Sequence, residues 1–270
     1  MPLSAIARRY DHFLIDLDGC LYVGDEPTDR AGEALAALRE ARKRIVFMTN
    51  DVSRTPEEFV RKLWRLGFQA SLAEIITAGA ALQFSLAGRR QEGGAAFVIG
   101  SRALIDHVAQ AGLRVVNNTE FATRADIVIV SDHRGFNYVE LRVATQAVLR
   151  GAELIGLTRD RTFPMPDGPW PAAGAVLAAI ETACDRIADE VVGKPEAGMY
   201  DTARDRLGEG RGLAIGDRLD ADVAGARRAG LDSALVLTGA TDAAEVTAVE
   251  QEAAGPTFVA DSLAALVLTP

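Results

Sequence analysis

Four short motifs carry side chains that could act together on a phosphate group. In chain order they are Asp16-Leu17-Asp18-Gly19, Thr49-Asn50-Asp51, Gly193-Lys194-Pro195 and Gly216-Asp217-Arg218-Leu219-Asp220-Ala221-Asp222. Carboxylates that lie close together are costly unless a cation or a proton lies between them. Mg²⁺ prefers hard oxygen ligands and keeps waters and substrate phosphate in its octahedron. Because a carboxylate can also attack phosphorus to form an aspartyl-phosphate, the motifs indicate Mg²⁺-assisted phosphoryl chemistry.

The two acidic motifs differ in spacing. Asp16 and Asp18 are two residues apart, so in an extended segment both side chains face the same cleft. Asp217 and Asp222 form a GDxxxxD motif, in which Asp217 could bind the metal directly and Asp222 could steady its other ligands. Taken alone, GDxxxxD also fits a plain capped turn between a strand and a helix.

Two other side chains could hold the phosphate itself. Thr49 offers a hydroxyl beside backbone N–H groups, and Lys194 is a compact cation at a predicted helix start. Each is ordinary by itself, since strands often end in polar turns and lysines are common on surface loops. Their occurrence in order with the acidic motifs is what indicates one shared site.

Apolar segments precede three of the motifs. They span residues 13–15, 45–48 and 213–215, and such runs are typical of buried strands in a parallel sheet. Ligands of open α/β sheets bind beyond the carboxyl ends of the strands, so the motifs should converge there. The alternation of strand-like and helix-like segments predicts an α/β fold with a doubly wound parallel sheet.

The middle of the chain predicts a separate α/β unit. Strands are expected at 96–99, 127–130 and 154–157, and helices around 104–109, 139–149 and 176–183. The segment 158–171, rich in Pro, Gly and Arg, is expected to be an ordered functional loop. We predict an inserted domain at residues 80–187 within a core formed by residues 1–79 and 188–270.

Composition excludes some classes of partner. The formal net charge of −9 argues against a nucleic acid polymer, which needs a basic surface. No apolar run approaches the roughly 20 residues that span a bilayer, and residues 1–4 lack the start of a signal sequence. The two cysteines have no metal-binding spacing, so a reduced protein of the cytoplasm is expected, with no membrane partner.

Taken together, the motifs resemble the haloacid dehalogenase (HAD) superfamily phosphatases of subfamily IIA, the group of NagD and 4-nitrophenylphosphatase-like enzymes. The resemblance rests on residues 16–22, 49–54, 192–195 and 261–263 and covers nearly the whole chain. It implies a Rossmann-like HAD core with an inserted α/β cap of the C2 class, subtype A. Such a cap closes over the site and selects substrates.

The resemblance also implies catalytic roles. Asp16 would be the nucleophile and a Mg²⁺ ligand. Asp18 would protonate the leaving oxygen, then activate water, and offer its backbone carbonyl to the metal. Lys194 would bind the phosphoryl group.

The remaining implied roles concern binding. Thr49 would hold the phosphoryl group with Asn50 beside it, and Asp217 and Asp222 would complete the metal site. The resemblance thus implies Mg²⁺ as cofactor, a small phosphorylated metabolite as partner and a possible homodimer through the cap.

The chain departs from the family pattern at a few positions. Asp51 stands where relatives usually carry Asn, and Arg159 stands where they carry the Asn of a Thr-Asn pair. His133 lies near a position that is commonly acidic. We predict that His133, Arg134 and Arg159 bind the non-phosphate end of an anionic or polyhydroxylated substrate; the alternative is that they are solvated loop residues.

The favoured function is Mg²⁺-dependent hydrolysis of a small phosphomonoester through an aspartyl-phosphate. Sugar phosphates, glycerol phosphate, phosphoglycolate and nucleotides all suit such a cap. Phosphotransfer to another acceptor, as in a phosphomutase, would use the same core residues. A phosphorylation-controlled binding module is a third interpretation, against which the paired carboxylates and the large insertion count.

Overall fold

The computed structural model of the protein describes residues 2–87, 93–163, 168–242, 244, 246 and 255–269. The chain forms two compact units. The core unit comprises Met1–Thr49, Pro56–Ile76 and Lys194–Pro270, and the inserted unit comprises Asn50–Thr55 and Thr77–Gly193. The domain limits at 80 and 187 that we expect from the sequence stay a prediction.

A six-stranded sheet organises the core unit. Its strands are β1 His12–Asp16, β4 Arg44–Thr49, β5 Ile75–Thr77, β13 Gly212–Gly216, β14 Asp232–Val236 and β15 Phe258–Ala260. Their spatial order is β15-β14-β13-β1-β4-β5, and the pairings from β15 through β4 are all parallel. A short antiparallel pair, β2 Tyr22–Val23 and β3 Glu26–Pro27, follows β1. This confirms the predicted α/β fold, with each apolar run forming a strand.

The register of β1 sets where the motifs lie. Ile15 pairs with Ile215 and Asp16 pairs with Met48, so the carboxyl ends of β1, β4 and β13 lie side by side. All five positions of β1 and of β13 are buried. Central strands covered on both faces are expected to be apolar throughout, which is why the sequence shows continuous runs rather than alternation.

Helices alternate with the strands of the core unit along the chain. They are α1 Ala5–Arg8, α2 Ala31–Glu40, α3 Pro56–Arg65, α8 Ala197–Leu207, α9 Ala224–Arg228 and α10 Leu263–Val267. Helix α3 begins at Pro56, because the fixed φ of proline suits the first helical position, and Gly67, with φ of +86°, follows its end.

The segment after β13 begins with an unusual helical turn. Leu219–Val223 forms a π-helical turn, and α9 starts only at Ala224. π-turns are rare and occur often at functional sites. Periodicity alone does not distinguish such a wide turn from an α-helix.

The inserted unit has its own five-stranded parallel sheet. Its strands are β6 Ala95–Ile99, β7 Arg114–Val115, β8 Ile127–Val130, β9 Glu153–Gly156 and β12 Glu190–Val191, and their spatial order is β12-β9-β8-β6-β7. Its helices are α4 Ala78–Ala87, α5 Arg102–Gln110, α6 Tyr138–Leu149 and α7 Ala173–Cys184. Within the predicted loop 158–171, β10 Thr162–Phe163 and β11 Trp170–Pro171 pair in antiparallel fashion, and residues 164–167 lie outside the described part.

Among the described residues, no helix combines the length and the apolar character needed to cross a membrane.

Helix α6 offers a test of the inserted unit's local stability. Its N-cap Asn137 accepts hydrogen bonds from the N–H groups of Val139 (2.9 Å) and Glu140 (3.2 Å) in a capping box. We expect Asn137→Ala to lower the free energy of unfolding by about 1 kcal/mol, because it leaves these donors without the side-chain acceptor. Chemical denaturation measures the loss. Asn137→Ser retains an acceptor without placing a second carboxylate beside Glu140, to which the Asn137 amide donates at 3.0 Å, and should lose much less. An equal loss in both variants would contradict the capping argument.

Candidate active site

Lys194 lies between two of the predicted acidic residues. Its Nζ donates to Oδ1 of Asp16, at the end of β1, and to Oδ1 of Asp222 at 2.7 Å. All three side chains are buried. A buried ammonium is tolerated only where carboxylates and further hydrogen bonds replace its lost hydration. The three residues therefore form one charge cluster, brought together from three distant parts of the chain.

Asp217 is held by a loop that follows β14. Its Oδ2 accepts the backbone N–H of Ala240 at 2.6 Å, and its backbone carbonyl accepts the N–H of Thr241 at 3.2 Å. A Cβ added to Gly19 or Gly239 would collide with this carboxylate. The two glycines thus let the backbone close around Asp217, which is only 4% exposed.

Burial changes the protonation equilibria of this cluster. It raises the pKa of Asp16 well above its ordinary range, which the neighbouring Lys194 ammonium only partly offsets. It also raises the pKa of Asp217 from 3.8 to about 6, and the carboxylate of Asp222 adds to this shift. Burial alone would lower the pKa of Lys194, but Asp16 and Asp222 hold it well above the ordinary value. Lys194 is therefore charged. Its single positive charge is not enough to balance the negative charges of the surrounding carboxylates.

The donor set fits a hard divalent cation. A carboxylate oxygen of Asp16, one of Asp217 and the Sγ of Cys20 all lie within 4.8 Å of one another. Asp16, Asp217 and Asp222 can bring three negative charges to set against the ammonium of Lys194. A cation bound by Asp16 and Asp217 would stabilise their ionised forms, which burial and the neighbouring carboxylates disfavour.

Asp222 has a different position from the other two carboxylates. Its Oδ1 accepts from Lys194, and its Oδ2 accepts the N–H of Arg218 at 3.2 Å. A Cβ at Gly216 would collide with its side chain. With both oxygens bonded to protein donors, Asp222 is placed to orient Lys194, in line with the supporting role that the GDxxxxD spacing suggests for it.

The other predicted core residues lie on the same sheet edge. Thr49 is the last residue of β4 and is buried, and Asp18 is exposed in the turn that follows β1. Gly19, with φ of +85°, allows this turn, and its N–H donates to the carbonyl of Tyr22 at 2.8 Å. Asp16 is thus buried and Asp18 is exposed; the shared cleft that their spacing predicts stays a prediction.

Asn50 and Asp51 belong to the inserted unit. The Asn50 amide donates to Oδ2 of Asp160 at 3.1 Å. Asp51 accepts the N–H of Ser53 at 2.7 Å and an Arg54 guanidinium N–H at 3.2 Å. Its carboxylate is therefore paired with groups of its own turn.

The three predicted specificity residues also have partners in the inserted unit. His133 Nε2 lies 3.0 Å from Oε1 of Glu140 at the start of α6. The Arg134 guanidinium lies 5.3 Å from the ring centroid of Trp170, a cation–π distance.

Arg159 forms a two-point ion pair with Glu181 of α7. Its two terminal nitrogens lie 2.9 and 3.2 Å from the two Glu181 oxygens. Glu181 also accepts the N–H of Ala188 at 2.8 Å, and these contacts lower its pKa despite an opposing contribution from burial.

The structure adds two supporting residues that the motifs did not identify. Thr238 Oγ1 donates to the carbonyl of Gly19, joining the loop after β14 to the turn after β1. Tyr200 of α8 donates from its hydroxyl to the carbonyl of Asp222 at 3.2 Å. The sequence carries a signal for the position of Thr238, because Thr238-Gly239 follows an apolar run at residues 234–237, as the other motifs follow theirs.

Comparison with known proteins gives a consistent set of relatives. A family model described as haloacid dehalogenase-like hydrolase matches residues 13–114, and a second, described as HAD-hydrolase-like, matches residues 191–266. The D-glycerol 3-phosphate phosphatase of Mycobacterium tuberculosis is 34% identical over 98% of this chain and 73% of its own length. The sugar phosphatase AraL of Bacillus subtilis is 32% identical over 93% of this chain and 89% of its own length.

A solved structure agrees with these sequence relatives. It is the glycerol phosphate phosphatase of M. tuberculosis in complex with magnesium, with a TM-score of 0.88 and 34% identity. The match covers 98% of this chain and 78% of that chain.

The charge cluster predicts a large effect of removing Lys194. We expect Lys194→Met to lower the free energy of unfolding by about 3–5 kcal/mol, because it leaves buried carboxylates without their ammonium. Millimolar Mg²⁺ should restore part of the loss by binding the folded state. Thermal and denaturant unfolding with and without Mg²⁺ measure both effects. Lys43→Met, at a half-buried lysine outside the cluster, is the control; an equal loss there would contradict the argument.

The raised pKa of Asp217 predicts a pH dependence of stability without metal. A folded-state pKa of about 6 means that the folded protein holds the proton more tightly than the unfolded chain does. The Asp217 contribution is therefore fully favourable below pH 4 and is lost as pH rises towards 6, by up to about 3 kcal/mol.

Unfolding in EDTA from pH 4 to 8 tests this sign. The stability difference between Asp217→Asn and the parent protein should shift in favour of the variant as pH rises through this window. Asp205→Asn, at an exposed carboxylate of α8, should track the parent protein. A difference that stays constant from pH 4 to 8 would show that Asp217 titrates normally.

Proposed function

The chain belongs to the haloacid dehalogenase-like hydrolase family, and we propose that it is a Mg²⁺-dependent phosphatase of small phosphomonoesters. The observation that carries this proposal is the placement of Lys194 against Asp16, with Asp217 in the same buried cluster. A nucleophile, a fixed cation and a metal-binding carboxylate are the groups that phosphoryl transfer to a carboxylate requires.

In the first step, Asp16 attacks phosphorus. A carboxylate oxygen forms the new P–O bond while the bond to the leaving oxygen breaks, giving an aspartyl-phosphate on Asp16. Asp18 donates its proton to the leaving oxygen, so that a neutral alcohol departs. Its exposed position at the turn suits a group that must reach a substrate from outside.

In the second step, water attacks the same phosphorus. Asp18, now a carboxylate, accepts a proton from that water, and the bond between phosphorus and the Asp16 oxygen breaks. Inorganic phosphate leaves and both carboxyl groups return to their starting forms. Lys194 remains beside Asp16 throughout, and Thr49 offers its hydroxyl to the phosphoryl oxygens.

Asp16 and Asp217 are the residues that would hold Mg²⁺, with the Asp18 backbone carbonyl as the third protein ligand we infer. When bound, the ion supplies positive charge that offsets the charge of the phosphoryl group. The chain's own contribution is a rigid, largely buried donor set, kept in place by Lys194, Ala240 and Thr241.

We place sugar phosphates and polyol phosphates such as glycerol phosphate first among candidate substrates. The support is that relatives matched over most of this chain are a D-glycerol 3-phosphate phosphatase and a sugar phosphatase. The ion pair of Arg159 with Glu181 is a second support. Because Glu181 already neutralises the guanidinium, Arg159 does not call for a second anionic group on the substrate.

We also propose that the protein acts in the cytoplasm, since Cys20 and Cys184 are both free thiols. A homodimer through the inserted unit stays a prediction, which light scattering of the purified protein tests.

The nucleophile is tested by replacing Asp16. We expect Mg²⁺-dependent release of inorganic phosphate from glycerol phosphate or sugar phosphates, and loss of that release in EDTA. Asp16→Asn should reduce kcat by at least about 10³-fold, because an amide cannot form the phosphoenzyme. The Asp205→Asn variant is the matched control. Release that survives in Asp16→Asn would show that another group is the nucleophile.

The same assay separates the competing functions. A phosphomutase would yield an isomer of the substrate and no free phosphate. A phosphorylation-controlled binding module would accept one phosphate per chain and would not turn over.

The specificity residues have a separate test. If Arg159 binds the non-phosphate end of the substrate, Arg159→Ala should lower kcat/KM, and Glu181→Gln, which frees Arg159, should not reproduce that loss. If Arg159 serves only its ion pair, the two variants should behave alike. Measuring kcat/KM for both on glycerol, sugar and nucleoside monophosphates distinguishes these outcomes.

A further inference from the structure

Cys20 lies at the candidate metal site although it has no role in the proposed reaction. Its Sγ is within 4.8 Å of a carboxylate oxygen of Asp16 and of Asp217, and its side chain is fully buried. We propose that Cys20 gives this site a soft sulfur ligand, so that thiophilic divalent cations such as Cd²⁺ and Zn²⁺ bind there in place of Mg²⁺ and inhibit the enzyme. The inhibition rests on the proposed function.

The backbone fixes the position of the thiol. The Cys20 N–H donates to the carbonyl of Leu17 at 3.3 Å, and the Cys20 carbonyl accepts the hydroxyl of Thr28 at 2.7 Å. These bonds hold the turn after β1, which directs Sγ to the same side as the carboxylates. The backbone hydrogen bonds therefore hold the thiol in the cluster.

No hydrogen-bond partner of the Cys20 thiol is present among the residues that the structure describes. A buried polar group without a partner is unusual and calls for an explanation. The neighbouring groups are the carboxylates of Asp16 and Asp217, each with an oxygen within 4.8 Å of the thiol sulfur. A thiol and two carboxylates around one point form a ligand set that a metal ion can complete.

The chemistry of this set differs from that of an all-oxygen site. Mg²⁺ gains little from sulfur, whereas Zn²⁺ and related ions bind thiolate at about 2.3 Å and carboxylate at about 2.0–2.2 Å. On coordination the thiol proton passes to solvent and a metal–sulfur bond forms, with no transfer of electrons. The exchange removes one oxygen-preferring ion and installs one that holds Asp16, the nucleophile, more tightly.

Cadmium binding without substrate tests the proposal directly. Metal-free protein is titrated with Cd²⁺ while the ultraviolet charge-transfer band of the cadmium–thiolate bond is recorded. We expect the band to appear with one Cd²⁺ per chain and to disappear in Cys20→Ser. A chelator competition should show affinity for Cd²⁺ weakened on the order of 100-fold in that variant.

The control is the other cysteine. Cys184, at the end of α7 in the inserted unit, is half-buried and its Sγ lies 3.7 Å from the carbonyl of Thr145. Cys184→Ser should keep the band. Cys20→Ala serves as a second variant in case a buried hydroxyl at position 20 impairs folding, which thermal unfolding will show.

Competition with Mg²⁺ locates the ion. Excess Mg²⁺ should raise the Cd²⁺ concentration at which the band reaches half of its full intensity, because both ions use Asp16 and Asp217. A half-saturating Cd²⁺ concentration that Mg²⁺ leaves unchanged, a band that persists in Cys20→Ser, or no band in the parent protein would each overturn the proposal.

These outcomes are independent of catalysis. If no phosphomonoester is hydrolysed with Mg²⁺ but the band follows Cys20 and competes with Mg²⁺, the proposed function fails and the mixed metal site stands. If phosphate is released but no band forms, the reverse holds.

Discussion

The buried ammonium of Lys194 is the interaction on which the site depends. It neutralises part of the charge of Asp16 and Asp222, and without it these carboxylates would be buried against one another. Transfer of such groups from water costs several kcal/mol per ion, and only close geometry with further hydrogen bonds recovers that cost. Those bonds come from backbone groups beside the cluster, such as the N–H groups of Arg218 and Ala240. The parallel sheet provides the rigid frame, because the strand ends at Asp16 and Gly216 are fixed by register on both sides of β1.

A local charge deficit follows from the same arrangement. Three carboxylates surround one fixed ammonium, and burial together with the neighbouring carboxylates raises the pKa values of Asp16 and Asp217. Stability, pH response and metal binding are therefore linked through one set of groups, since a proton and a divalent cation relieve the same repulsion. A better charge balance in the metal-free site would require the replacement of one of the carboxylates, and that replacement would remove a group that can bind the metal. The repulsion in the metal-free site is thus a condition of its affinity for a cation.

Sequence reasoning located the groups attached to strand ends and was less informative about groups on loops. An apolar run followed by Asp or Thr fixes both the strand and the edge at which the side chain emerges, so Asp16, Thr49 and Asp217 could be placed. The contact of Thr238 with Gly19 depends on two loops that are 219 residues apart, and no local pattern encodes their meeting. The pairing of Arg159 with Glu181 likewise depends on how α7 packs within the inserted unit. The position of Cys20 beside the carboxylates is likewise not evident from the sequence, because it depends on how the turn after β1 folds back towards Asp217.

The path of the chain places two candidate phosphate ligands at the junctions between the units. Thr49 is the last core-unit residue before the short segment Asn50–Thr55, which belongs to the inserted unit, and Lys194 is the first core-unit residue after the long segment Thr77–Gly193. Both are buried, while Asn50 has its side-chain bond within the inserted unit. Segments of another unit at these borders are tolerated only if the strand end and the ammonium remain anchored within the core unit. The β4 ladder anchors Thr49, and the bonds to Asp16 and Asp222 anchor Lys194. The contacts that hold Thr49 and Lys194 therefore lie within the core unit and do not depend on the loop sequences of the inserted unit.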